Sequence, residues 1–163
     1  MTITQALPRT TLSPAALLDL LGTYVTSRAG RLPLAQPGLV DRSYELLELS
    51  DDMEIWAIHW PKDQGLQLHD HGGSTGALWV LEGDLEECFV DAEYSLSRRR
   101  LVAGSGAAFG ATYVHDVVNS ATAPATSIHA YSPPMPSMTF YRLDGAGLVA
   151  DRAEYRADPA WAP

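Results

Sequence analysis

Cysteine is nearly absent from this chain: Cys88 is the only one in 163 residues. No intrachain disulfide can form, and no paired-cysteine zinc pattern exists. Basic residues are scarce as well, 11 Lys and Arg against 20 Asp and Glu, for a formal net charge of −9. That balance argues against nucleic acid and anionic membrane surfaces as partners, since both favour basic patches. Long hydrophobic runs are missing too. Nothing approaches the roughly 20 apolar residues of a membrane span, and the first residues lack the basic start and apolar stretch of a signal peptide. The expectation is a cytoplasmic protein. A hydrophobic fraction of 46% and a charged fraction of 19% fit a globular chain rather than a disordered one. The length suits a single domain over 1–163.

What is present divides the chain into three stretches. Met1 to Thr11 is polar and unpatterned and reads as a loose leader. Ser13-Pro14 is a helix start, with Ser as N-cap and Pro at the first helical position. Leu17, Leu18, Leu20, Leu21 and Tyr24 follow at helical spacing, so a helix is expected from Pro14 to Ser27 within an N-terminal extension and connector over 1–37. Over 38–143 the pattern turns to short strands: Tyr44 to Leu49, Met53 to Trp60, a short strand through His69 and His71, Ala77 to Leu81 and Leu85 to Val90. Arg99 to Val102, Tyr113 to Val118, Thr126 to Tyr131 and Met138 to Leu143 complete the set. About ten short strands separated by Gly, Asn and Pro indicate an all-β antiparallel barrel or double sheet. The tail over 144–163 contains Ala, Gly and Pro and shows no clear period.

The chemistry centres on His69-Asp70-His71. On a strand, residues two apart share a face, so both imidazoles could meet one ion if a third ligand came from elsewhere. His115 is the candidate. Three neutral imidazoles would leave a divalent ion its full charge and open positions, and nitrogen donors suit Fe(II), Cu, Ni or Zn rather than Mg or Ca. A lone His-x-His is more often surface or structural than ligating, so the pair needs its context. Ser127, His129 and Tyr131 alternate in the same way and could form a hydrogen-bonded relay ending at the phenol. His59 reads as an ordinary strand histidine and Cys88 as a small buried hydrophobe. Trp56, Trp60 and Trp79 read as filling for a small barrel, and Asp70 should point away from the histidine face.

The spacing resembles the cupin superfamily. His69, His71 and Gly83 fit its first motif, with Gly76 where a Glu ligand normally stands. Gly104, His115 and Asn119 fit the second, with Gly110 and Thr112 replacing its Pro and Gly. Together with Ser127-Ile128-His129-Ala130-Tyr131-Ser132-Pro133-Pro134, these residues resemble the cysteine dioxygenase family, the thiol dioxygenases, over roughly 42–143. The resemblance implies a cupin-type jelly-roll β-barrel with a short N-terminal helical segment. It implies Fe(II) held by His69, His71 and His115, with Tyr131, His129 and Ser127 as catalytic residues, and Arg42 with Tyr131 binding substrate. The implied reaction oxidises L-cysteine with O2 to cysteine sulfinic acid. Related enzymes for 3-mercaptopropionate usually carry Gln at the position of Arg42, which tips the reading towards cysteine. Another small thiol such as cysteamine, or a non-catalytic metal-binding cupin that senses a small molecule, are the competing readings. Animal members carry a cysteine at Gly76 that crosslinks to the tyrosine equivalent to Tyr131, so this chain resembles the bacterial, uncrosslinked form. The oligomeric state stays open.

Overall fold

The computed structural model describes residues 10–36, 38–91, 95–145 and 147–157. The expected helix, α1, spans Pro14–Ser27. The Ser13 side chain accepts from the Ala16 N–H at its start, and Pro14 needs no such partner. Leu17, Leu21 and Tyr24 form its buried face. Of the polar leader, residues 1–9 lie outside the described residues, but its end is pinned. The Thr10 N–H donates to Asp52, and Leu12 exchanges hydrogen bonds with Ser132 and Thr75.

Among the described residues, eleven strands follow: β1 Ser43–Leu49, β2 Glu54–Trp60, β3 Gly65–His69, β4 Thr75–Glu82, β5 Asp84–Val90, β6 Leu96–Val102, β7 Gly106–Phe109, β8 His115–Val118, β9 Ala125–Ser132, β10 Ser137–Asp144 and β11 Gly147–Tyr155. They make two antiparallel sheets, in the orders β1-β2-β9-β4-β7 and β11-β10-β3-β8-β5-β6. Two strands were not visible in the pattern. β7 is Gly-Ala-Ala-Phe, too short and small to alternate, and it forms by pairing with β4. β11 pairs with β10 along its length, from Asp144 opposite Gly147 to Ser137 opposite Tyr155, so the ladder continues well past residue 143.

The inward faces of the sheets enclose one core, including Trp56, Ile58, Trp60, Leu78, Phe109, Tyr131 and Phe140. A second core lies outside, where α1 covers the back of the first sheet with Leu17, Leu21 and Tyr24 against Ile55, Ala57, Ala77, Ile128 and Ala130. Each fully buried leucine there contributes about 1.5–3 kcal/mol. The helix explains why every residue of β9 is buried. Ile128 and Ala130 face α1, leaving Ser127, His129 and Tyr131 for the barrel interior. Trp79 differs from its expected place: it packs outside, in the α1 core beside Gly22, because its parity on β4 matches Ala77 rather than Leu78. No helix among the described residues is long and apolar enough to cross a membrane.

Candidate metal centre

His69, His71 and His115 are all buried, and their potential ligand nitrogens lie within 4.8 Å of one another. The three ring centroids form a nearly equilateral triangle with sides of 5.0, 4.7 and 5.0 Å. The expected strand through both His69 and His71 is corrected in one respect: β3 stops at His69, and His71 lies just beyond it. Gly72 and Gly73, at φ 60° and 90°, turn the chain back immediately after His71. Asp70 holds this exit in place, its carboxylate accepting from the Gly72 and Thr139 N–H groups and the Tyr141 hydroxyl. His115 opens β8 directly opposite His69.

Two of the rings are aimed by hydrogen bonds. His69 donates from Nδ1 to the Gln67 carbonyl at 2.7 Å, and His115 donates from Nδ1 to Glu87 Oε1 at 2.7 Å. In the neutral form of each ring, the Nε2 lone pair then faces the shared space. His115 Nε2 and His71 Nε2 are 3.2 Å apart. Two nitrogens at right angles on one ion, each about 2.0–2.1 Å from it, would lie about 3 Å apart. Burial, reinforced by the neighbouring imidazoles, holds His69 and His71 well below the ordinary histidine pKa, so both keep a lone pair at neutral pH. The donor set fits a divalent transition metal.

His71 is held differently. Its Nδ1 has no hydrogen-bond partner among the described residues. Instead the ring stacks on Phe109 at 4.6 Å and 27° and on Tyr131 at 5.3 Å and 28°. Phe109 fills the space beside Gly76, where the wider cupin pattern has its Glu ligand: a Cβ on Gly76 would lie 2.2 Å from that ring. Among the described residues, the clustered ligand set is the three histidines alone.

The expected relay is formed. Ser127 Oγ and His129 Nε2 are 2.8 Å apart, and His129 Nδ1 and the Tyr131 hydroxyl 3.1 Å apart. Its far end was missed: Trp60 Nε1 donates to Ser127 Oγ at 2.8 Å. Asn119 holds Trp60 from behind by donating to its carbonyl. Burial pushes the His129 pKa down to about 3 and raises that of Tyr131, so the imidazole is neutral and the phenol protonated. Arg42 is half-buried at the edge of this space, its guanidinium 5.4 Å from the Trp60 ring and 5.9 Å from the Tyr44 ring. Desolvation is the largest influence on its pKa and lowers it.

Glu87 and Phe109 were not singled out in the sequence. Glu87 shares the inward parity of Leu85 on β5, which was the one available signal. His59 stays apart, at 3.3 Å from the Thr126 hydroxyl, and Cys88 is buried.

Comparison with known proteins places this geometry. A Thermus thermophilus protein superposes with a TM-score of 0.54 at 22% identity, covering 62% of this chain and 91% of that one. A Klebsiella pneumoniae protein with a double-stranded β-helix domain gives 0.53 at 18% identity, covering 72% and 90%. A sugar phosphate isomerase of the cupin superfamily from Silicibacter pomeroyi gives 0.50 at 25% identity, covering 68% and 76%. The expected cupin-type all-β fold is thus the observed one. The family model described as cysteine dioxygenase type I matches residues 41–143, a span that holds all three histidines and the whole relay. With more than half of its length matched in this way, the chain belongs to the cysteine dioxygenase type I family.

Proposed function

We propose that this protein is an iron-dependent thiol dioxygenase that oxidises L-cysteine with O2 to cysteine sulfinic acid in the cytoplasm. The observation that carries the reading is the convergence of three buried imidazoles beside a protonated tyrosine, with Phe109 rather than a carboxylate at the fourth corner. In the reaction both oxygen atoms end on sulfur and the thiol proton is kept by the acid, so no outside reductant is needed.

His69, His71 and His115 would hold the iron. Fe(II), when bound, supplies the Lewis-acid and redox chemistry through which a thiol and O2 can combine. Arg42 is suited to the substrate carboxylate, since a guanidinium can grip two oxygens at once. Trp60 and Tyr44 flank it, and Trp60 also donates to Ser127 at the start of the row that ends at Tyr131.

The relay has one favoured polarity. An indole N–H can only donate, so Ser127 accepts from Trp60 and gives its single hydrogen to His129 Nε2. Neutral His129 then carries its own hydrogen on Nδ1 and donates to the Tyr131 oxygen. The Tyr131 hydrogen is left pointing onward, a fixed donor that can steady charge on the substrate side.

The test is iron analysis of purified protein, then O2 uptake and sulfinate formation with cysteine, 3-mercaptopropionate and cysteamine. Cysteine should show the highest kcat/KM. A faster reaction with 3-mercaptopropionate would replace the substrate; thiol binding without O2 uptake would make the protein a sensor instead.

A further inference from the structure

We propose that Glu87 is a positioning residue of the metal centre, locking His115 in its metal-binding tautomer and supplying, just behind the ligands, the negative charge missing at Gly76. The inference rests on the metal-site reading above and concerns how tightly that site binds, not which thiol it oxidises.

Glu87 is entirely buried, where an unpartnered carboxylate would be very costly. It is instead surrounded by donors. Oε1 accepts from His115 Nδ1 at 2.7 Å and from the Tyr113 hydroxyl at 3.0 Å, and Oε2 accepts from Arg99 Nε at 2.5 Å. The neighbouring pairs Arg98–Glu86 and Arg100–Asp84 look superficially alike, but both reach out to solvent and stop there. Of these three acidic residues, Glu87 is the one that turns inward to a histidine of the cluster.

The three histidines are consequently unequal. The Nδ1 of His69 meets a neutral backbone carbonyl, and that of His71 has no hydrogen-bond partner among the described residues. Among the described residues, His115 is the one of the three with an anionic partner. A carboxylate accepting from the far nitrogen makes the near nitrogen a stronger donor and fixes which nitrogen carries the proton. Arg99 works against this, because it shares the carboxylate and offsets part of its charge. Glu87 and Arg99 therefore act on the metal in opposite directions.

That opposition separates a charge effect from simple support of the fold. Co(II) is the probe, titrated into the metal-free full-length protein in competition with a chelating dye, with a thermal melt of each metal-free variant alongside. Glu87→Gln keeps the shape and removes the charge, and should weaken Co(II) binding about 10- to 100-fold. Arg99→Gln leaves the charge and removes its counter-ion, so Co(II) binding should tighten even as the metal-free protein melts lower. The inference is overturned if Glu87→Gln binds as the unaltered protein does, or if both variants weaken binding together. Should Glu87→Gln fail to fold, the sign of the Arg99→Gln effect decides alone. Absence of Co(II) binding by the unaltered protein would instead count against the metal-site reading itself.

Discussion

Gly76 and Phe109 face each other across β4 and β7, and the aromatic ring of one occupies the side-chain space of the other. A Cβ on Gly76 would stand 2.2 and 2.3 Å from two ring carbons of Phe109, well inside contact distance. The same ring stacks on His71, whose Nδ1 has no hydrogen-bond partner among the described residues to aim it. Gly76→Ala should therefore push Phe109 off His71. Overpacking of this kind costs about 1–3 kcal/mol. A urea titration of the metal-free protein should show that loss, and metal titration should show weaker binding. Unchanged values for both would mean that Phe109 yields freely and does not orient the ligand.

Tyr131 has two separable parts. Its ring stacks on His71, and its hydroxyl ends the relay from Trp60. Tyr131→Phe keeps the first and removes the second. Metal affinity should hold while kcat with cysteine falls about 10²- to 10⁴-fold, the usual worth of a placed proton donor. If metal affinity falls instead and kcat per bound iron is kept, the hydroxyl is not part of the chemistry.

Arg42→Gln tests the carboxylate clamp. Hydrogen bonds to a charged partner are worth about 1.5–3 kcal/mol, so kcat/KM for cysteine should drop roughly 10- to 100-fold. Cysteamine lacks the carboxylate, and its kcat/KM should barely move. An equal fall with both thiols would make Arg42 a structural residue packed on Trp60 and Tyr44.

Acid should destabilise the metal-free protein from mildly acidic pH downward. Burial lowers the pKa of His69 and His71 well below the ordinary value and brings His129 to about 3. Once pH falls below about 6.5, the unfolded chain binds protons that these folded histidines refuse. Stability must then fall with falling pH, by up to about 1.4 kcal/mol per pH unit for each histidine. Glu87 acts lower: its hydrogen bonds to His115 and Arg99 outweigh burial and bring it from 4.5 to about 2. Its contribution is complete above about 4.5 and is lost on descending towards 2. Urea midpoints should decline steadily between about pH 7 and 5, and His129→Gln should make that decline shallower. A flat profile over that range would contradict the buried, neutral state of these rings.

Much of this protein is written locally. Ser13-Pro14 and the leucines after it specify α1, because a cap and a 3.6-residue period need only near neighbours. Period-two alternation likewise orients Ser127, His129 and Tyr131 to one side before any partner strand is known. The same period marked His69 and His71 as a candidate ligand pair, while His115 was picked out by its place in the motif the chain resembles. What lay beyond local pattern needed the sheets. β7 is too short to carry a period of its own, and β11 becomes a strand by pairing with β10. Trp79 went to the outer core because α1 covers that face. Glu87 meets His115, 28 residues away, only because β8 lies beside β5. Phe109 reaches His71 only because β7 pairs with β4 opposite a glycine. The chain by itself determined which side chains share a face of each strand, since that depends on backbone period. The tertiary structure alone decided which of them touch, because strand order brings together residues that no interval along the sequence relates.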